Sequence, residues 1–104
     1  MKRHFLLKLI PPRPSFALDM TEEERHLMQA HAGYWAHLAE KGIALLFGPV
    51  LDPRGSYGIG VVQVENEEDL KVLTENDPVS KSGRPFKHEA YGMPQVVVGK
   101  PLSE

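Results

Sequence analysis

Apolar positions along the chain switch between a period near two and a period near three and a half, and the switches mark out the elements. From Lys2 to Ile10, Phe5, Leu6, Leu7, Leu9 and Ile10 alternate imperfectly over a short span, which predicts a first strand. Pro11, Pro12 and Pro14 end it, because proline cannot donate to a ladder. Pro11 to Met20 reads as a loop. Leu27, His31, Tyr34, Trp35 and Leu38 then recur at the helical period and form one face, with Met28 beside it. Thr21 followed three residues later by Glu24 is a capping box, in which hydroxyl and carboxylate each take one unpaired N–H. Glu22, Glu23 and Glu24 put negative charge at the positive end of the helix dipole, and Gly42 after Lys41 supplies the stop.

Beyond the helix, Ile43 to Val50 is an unbroken apolar run of strand length. Leu51 to Ser56 is a turn punctuated by Asp-Pro and Gly, and Tyr57 to Glu65 is a third strand that makes a hairpin with the second. Asn66 caps a second helix running from Glu67 to about Asn76, with Leu70, Val72 and Leu73 as its apolar content. Asn76-Asp77-Pro78 ends it, since a residue before proline avoids the helical region. Val79 to Arg84 is a loop or a short turn of helix, Phe86 to Tyr91 a fourth strand, Met93 to Val98 a further strand-like tail, and 99–104 a frayed end. The order strand, helix, strand, strand, helix, strand predicts an α+β, ferredoxin-like βαββαβ fold, an antiparallel sheet with both helices on one face. Strands this apolar predict a cover for the other face, and a second copy is the simplest one: a homodimer with sheets packed face to face.

Composition narrows the function classes. The 104 residues read as one domain, 1–104, with an ordered core over about 1–98, and 41% hydrophobic content is enough for a core. A net charge of -2 argues against nucleic acid, which calls for clustered Lys and Arg. No apolar run is long enough to span a membrane, and the apolar stretch at the N-terminus is broken by Lys8 and prolines, unlike a signal peptide; a cytoplasmic protein is the default expectation. With no Cys there is no disulfide framework, thiol nucleophile or Cys-ligated metal.

The residue that asks for an explanation is His31, on the face of the first helix that should be buried. It is either a structural histidine satisfied by a carbonyl and a carboxylate, or a titratable group in a pocket, tuned for proton transfer. Tyr34 and Trp35 beside it read first as core and second as walls of a substrate pocket. Gly58 and Gly60 on one hairpin strand and Gly48 on the other leave the loop end short of side chains, through twisting or to admit a ligand. Arg13, in the loop before the helix, is either solvent-exposed linkage or a clamp presented to an anion. His26, His31 and His37 are spaced by five and six and point to different faces, and His4 and His88 could be neighbours on adjacent strands; no H-x-x-x-H or H-E-x-x-H occurs, so no metal is expected. Ser15 and Ser56 lie outside any nucleophile-elbow context. No dinucleotide fingerprint, P-loop or Schiff-base lysine is present, and no organic cofactor is expected.

Met28, His31, Tyr34, Trp35, Leu38, Gly42, Gly48, Pro49, Asp77 and Pro78 fall in an order that resembles the YciI-like (YCII-related) domain family: a helix with MxxHxxYWxxL, a Gly, an apolar strand ending in GP, a hairpin, a second helix, then DP. The resemblance runs from the first strand to the fourth. The loop PPRPSFALDMT resembles a subgroup with an Arg-containing loop before the helix. It implies a ferredoxin-like fold assembled as a dimeric α+β barrel, and a His–Asp pair as the active site, carried here by His31 and Asp77. Most members have no established reaction, although a dehydrochlorinase of a chlorinated hydroxyhydroquinone is one of them. The function expected is acid/base elimination or isomerisation of a small aromatic or anionic molecule, with Arg13, Tyr34, Trp35 and Gly48 as candidate substrate contacts. The alternative is a non-catalytic dimeric module that binds a small ligand or an accessory partner.

Overall fold

The computed structural model describes residues 2–100. Strand β1 (Arg3–Ile10) is followed by a single helical turn, α1 (Phe16–Asp19), and the long helix α2 (Glu22–Glu40). The hairpin β2 (Ala44–Val50) and β3 (Tyr57–Val64) comes next, then α3 (Glu67–Glu75), a short α4 (Pro78–Lys81) and β4 (Lys87–Met93). The four strands form one antiparallel sheet in the order β2-β3-β1-β4. This is an α+β fold, compatible with the ferredoxin-like arrangement.

Register decides which side chains meet the helices. Phe5 lies opposite Val62 and Arg3 opposite Val64, so the odd positions of β1 share a face with the even positions of β3. On that face Phe5, Leu7, Val62, Val64 and Ala44 pack with Trp35 and Leu38 of α2 and Leu70 and Leu73 of α3 into one buried cluster. The opposite face carries Leu6, Lys8 and Ile10 of β1 beside Tyr91, Glu89 and Lys87 of β4. A bulge between Ala44 and Leu46 breaks the alternation of β2.

Helix boundaries follow the sequence signals. The Glu24 N–H donates to Thr21 Oγ1 (3.1 Å) and the Thr21 N–H to Glu24 Oε1 (2.9 Å), so both halves of the capping box are made. Gly42 has φ +77°, where a side chain would be strained. Asn66 accepts from the Asp69 N–H at the head of α3.

Three details differ from the sequence pattern. The loop Pro11–Met20 contains α1, because Phe16 is buried edge-on against Phe86 (centroids 5.4 Å apart) and pulls the chain inward. The strand-like tail Met93–Val98 is not a strand: β4 ends at Met93, opposite His4, where β1 runs out and Pro94 offers no N–H. Of the frayed end expected over 99–104, residues 101–104 lie outside the described residues. His4 and His88 are not neighbours either, since His4 pairs with Met93 and His88 with Leu9, on opposite faces of the sheet.

Gly60 has a steric role. A Cβ there would stand 2.5 Å from Cζ3 and 2.7 Å from Cη2 of Trp35, so the indole lies directly on the strand backbone. Gly60→Ala is expected to displace that ring and destabilise the fold by about 1–3 kcal/mol, measured by urea unfolding, with the near-ultraviolet signal of Trp35 altered.

Candidate functional site

The peptide Asn76-Asp77-Pro78 builds the first part of the site. Proline holds Asp77 extended (φ -63°, ψ 132°) and starts α4, so Asp77 becomes its N-cap, with Oδ1 accepting the Val79 N–H at 3.1 Å. Helix α2 supplies the rest from two positions one turn apart. His31 Nδ1 lies 2.9 Å from each oxygen of the Asp77 carboxylate. Trp35 Nε1 donates to Oδ2 at 2.9 Å. The Asp77 residue is 1% exposed.

Burying a lone carboxylate costs on the order of several kcal/mol, and donors offset it only when they are close and well placed. Burial is the largest influence on Asp77 and works against its ionisation. Hydrogen bonds and positive charge from His31, with the Trp35 and Val79 N–H groups, outweigh it and hold the pKa below its ordinary value. Asp77 is therefore a carboxylate at neutral pH. Burial also pushes the Tyr34 hydroxyl up, and the Asp77 charge adds to the effect.

A cavity of about 270 Å³ opens beside the pair. Its wall is mostly apolar, with Leu9, Phe16, Met28, Trp35 and Phe47 around the polar side chains of His31, Asp77, His88 and Ser56. No buried side-chain nitrogen or oxygen among the described residues lacks a partner. Among the described residues His31 Nε2 has no hydrogen-bond partner, so it keeps contact with solvent, and the His31 side chain lines the cavity. With Nδ1 engaged by a carboxylate and Nε2 free, such a ring is fixed in one tautomer and can accept or deliver a proton.

The other expected contacts divide. Trp35 and Gly48 line the cavity. A Cβ at Gly48 would meet nothing within 4 Å. Tyr34 does not line it; its hydroxyl donates to the Leu73 carbonyl and ties α2 to α3. Arg13 does not line it either. Its guanidinium donates to both oxygens of Glu24 (2.9 and 2.8 Å) and to Asp19 Oδ1 (2.8 Å), which leaves it an anchor of the loop on α2 rather than an open clamp. His88 had no role in the sequence pattern beyond a chance pairing with His4, yet β4 brings its Nε2 to 4.0 Å from Asp77 Oδ2. Its inward-facing place on β4, opposite Leu9, comes from the sheet register, and no signal in the sequence pattern marked it. No cluster of three His, Asp or Glu side chains suited to a metal occurs among the described residues. No helix among them is long and apolar enough to cross a membrane.

The YCII-related domain matches residues 5–89, which spans most of the sheet, the long helix and both members of the pair. The chain belongs to the YCII-related domain family. Among solved structures, this YCII-related chain is similar to 5-chloro-2-hydroxyhydroquinone dehydrochlorinase from Burkholderia phenoliruptrix AC1100, determined in complex with 2,5-dihydroxybenzoquinone. The TM-score is 0.51 and the identity 19%, over 82% of this chain and 90% of that one, a likeness of fold. No curated protein matches the chain.

The second ion cluster gives the YCII-related chain a defined acid response. Hydrogen bonds from Arg13, then from the Thr21 N–H, lower the Glu24 pKa from 4.5 to about 2 against the opposing effect of burial. A depressed carboxyl contributes stability that is complete above the unfolded value and lost as pH falls through the folded one. Glu24→Gln is expected to lower the melting temperature at neutral pH and to flatten the loss of stability between 4.5 and about 2, read by thermal melts across that range.

Proposed function

We propose that this chain is a small-molecule enzyme in which His31 and Asp77 act as an acid/base pair, in elimination or isomerisation of a small aromatic or anionic substrate. The observation that carries the reading is the His31 ring itself. Nδ1 is 2.9 Å from a buried carboxylate, Nε2 has no partner among the described residues, and the side chain lines a cavity of about 270 Å³. Nε2 exchanges a proton with the substrate during the reaction, while the carboxylate stabilises the charged form of the ring. Trp35 and the bare backbone of Gly48 serve as flat walls for a ring. The YCII-related family and the likeness to a dehydrochlorinase solved in complex with 2,5-dihydroxybenzoquinone support the same direction.

The mostly apolar wall favours a second reading, a module that holds a small ligand without converting it. One experiment separates the two. A panel of hydroxylated benzenes, benzoates and 2,5-dihydroxybenzoquinone is titrated while the ring signals of His31 and Trp35 and any conversion are followed. The enzyme reading expects one compound to shift both residues and to be turned over, with conversion lowered about 10²–10⁴-fold in Asp77→Asn. A compound bound and left unchanged supports the binding module. A cavity that takes none of them overturns both.

The assembly we assign is a homodimer, formed through the face of the sheet turned away from the helices. Leu46 and Tyr91 are exposed there, beside Leu6 and Ile59. Light scattering is expected to give twice the 11.6 kDa of one chain; a single-chain mass at micromolar concentration removes the dimer.

A further inference from the structure

We propose that His88 is a second proton-transfer residue of this cavity, set against the same carboxylate as His31, so that the site works with one imidazolium and one neutral imidazole. The inference deepens the acid/base reading and rests on it.

Geometry makes the two rings unequal. Asp77 already accepts from His31, Trp35 and the Val79 N–H. At 4.0 Å, His88 Nε2 is beyond hydrogen-bond length from Oδ2 but well inside the range of Coulomb interaction in a poorly hydrated space. His88 makes no hydrogen bond to another described residue, and its ring is part of the cavity wall. Because no buried polar side-chain atom among the described residues is unpartnered, its nitrogens keep contact with solvent.

Charge then assigns the states. One buried carboxylate balances one imidazolium; a second would leave a net positive charge in a mostly apolar cavity. The charged groups acting on His88 are His31 from α2 and Asp77 at the head of α4. Burial, the largest influence, and a charge on His31 both lower its pKa, and Asp77 alone opposes them. His31, bonded to the carboxylate, is the ring suited to carry the proton, and His88 the ring suited to stay neutral.

Two such rings divide an elimination between them. For loss of HX across a carbon–carbon bond, the neutral nitrogen of His88 takes the C–H proton, and the C–H electron pair becomes the new C=C bond. X departs with its bonding pair and receives the proton from Nε2 of the His31 imidazolium. HX leaves, the rings have exchanged charge states, and proton exchange with water restores them. In an isomerisation the proton is taken at one carbon and delivered at another, with no group lost.

The test has a substrate-free arm and a kinetic arm. Ring signals of His88 are titrated by NMR in wild type, His31→Gln and Asp77→Asn, with His31→Asn in reserve should His31→Gln not fold. His88 is expected to titrate below an ordinary histidine, to move up when His31 is replaced and down when Asp77 is replaced. With whichever ring compound the cavity converts, His88→Gln is expected to lower turnover by about 10²-fold or more, to leave KM nearly unchanged and to remove one limb of the pH profile. A His88 that titrates as a free histidine and ignores both substitutions overturns the proposal and leaves the His31–Asp77 pair standing, as does unchanged turnover in His88→Gln. Coupled titrations in a cavity that neither binds nor converts any compound bring down the acid/base reading, and the proton-transfer role with it.

Discussion

The Asp77 carboxylate joins three separate parts of the chain through one buried charge. Its two oxygens take the His31 imidazole and the Trp35 indole from α2 and the backbone N–H that opens α4, and His88 of β4 stands just beyond hydrogen-bond length. A charge buried this deeply is tolerated only with every donor in place, because each lost donor leaves part of the desolvation cost uncompensated. The same bonds that stabilise the ionised carboxyl fix the position of His31 and the roll of α2 over the sheet. Structural and chemical roles therefore share one set of atoms.

The Trp35 indole carries this constraint into the core. One edge donates to Asp77, and the ring covers the bare backbone of Gly60 and lies near Phe47. A side chain at Gly60 would lift the ring and with it one of the three donors to the carboxylate. The glycines of the hairpin thus differ: Gly60 admits a neighbouring ring, while Gly48 pairs with Ile59 and meets the cavity with its backbone.

A second buried carboxylate, Glu24, is handled differently. It is neutralised by Arg13 from a loop eleven residues earlier, and it closes the capping box as well. Arg13 and Glu24 do not line the cavity, and the chemistry of that cluster is cohesion: it seats the loop carrying Phe16 against the head of α2. The contrast with Asp77 separates an ion pair that closes on itself from one that leaves a reactive nitrogen free.

Much of this was legible in the chain. The capping box at Thr21 and Glu24, the stop at Gly42, the cap at Asn66 and the break before Pro78 depend on contacts within a few residues, so local chemistry fixes them. The α+β order of elements follows from period and punctuation, and the resemblance carried by the helix motif and the DP step pointed to His31 and Asp77. Other features required the tertiary structure. Glu24 sits on a helix face that reads as polar, and only the approach of Arg13 explains its burial. Arg13 reads as a free cation in a loop, and two carboxylates occupy it. His88 is one charged-or-polar position in a short strand until the pairing of Lys87–Met93 against β1 turns it inward toward Asp77. Sequence determines the helices with their caps and stops and the order of the strands, because helical hydrogen bonds and caps are local. Which distant side chains share a buried charge is decided by sheet register and helix packing, and these belong to the whole fold.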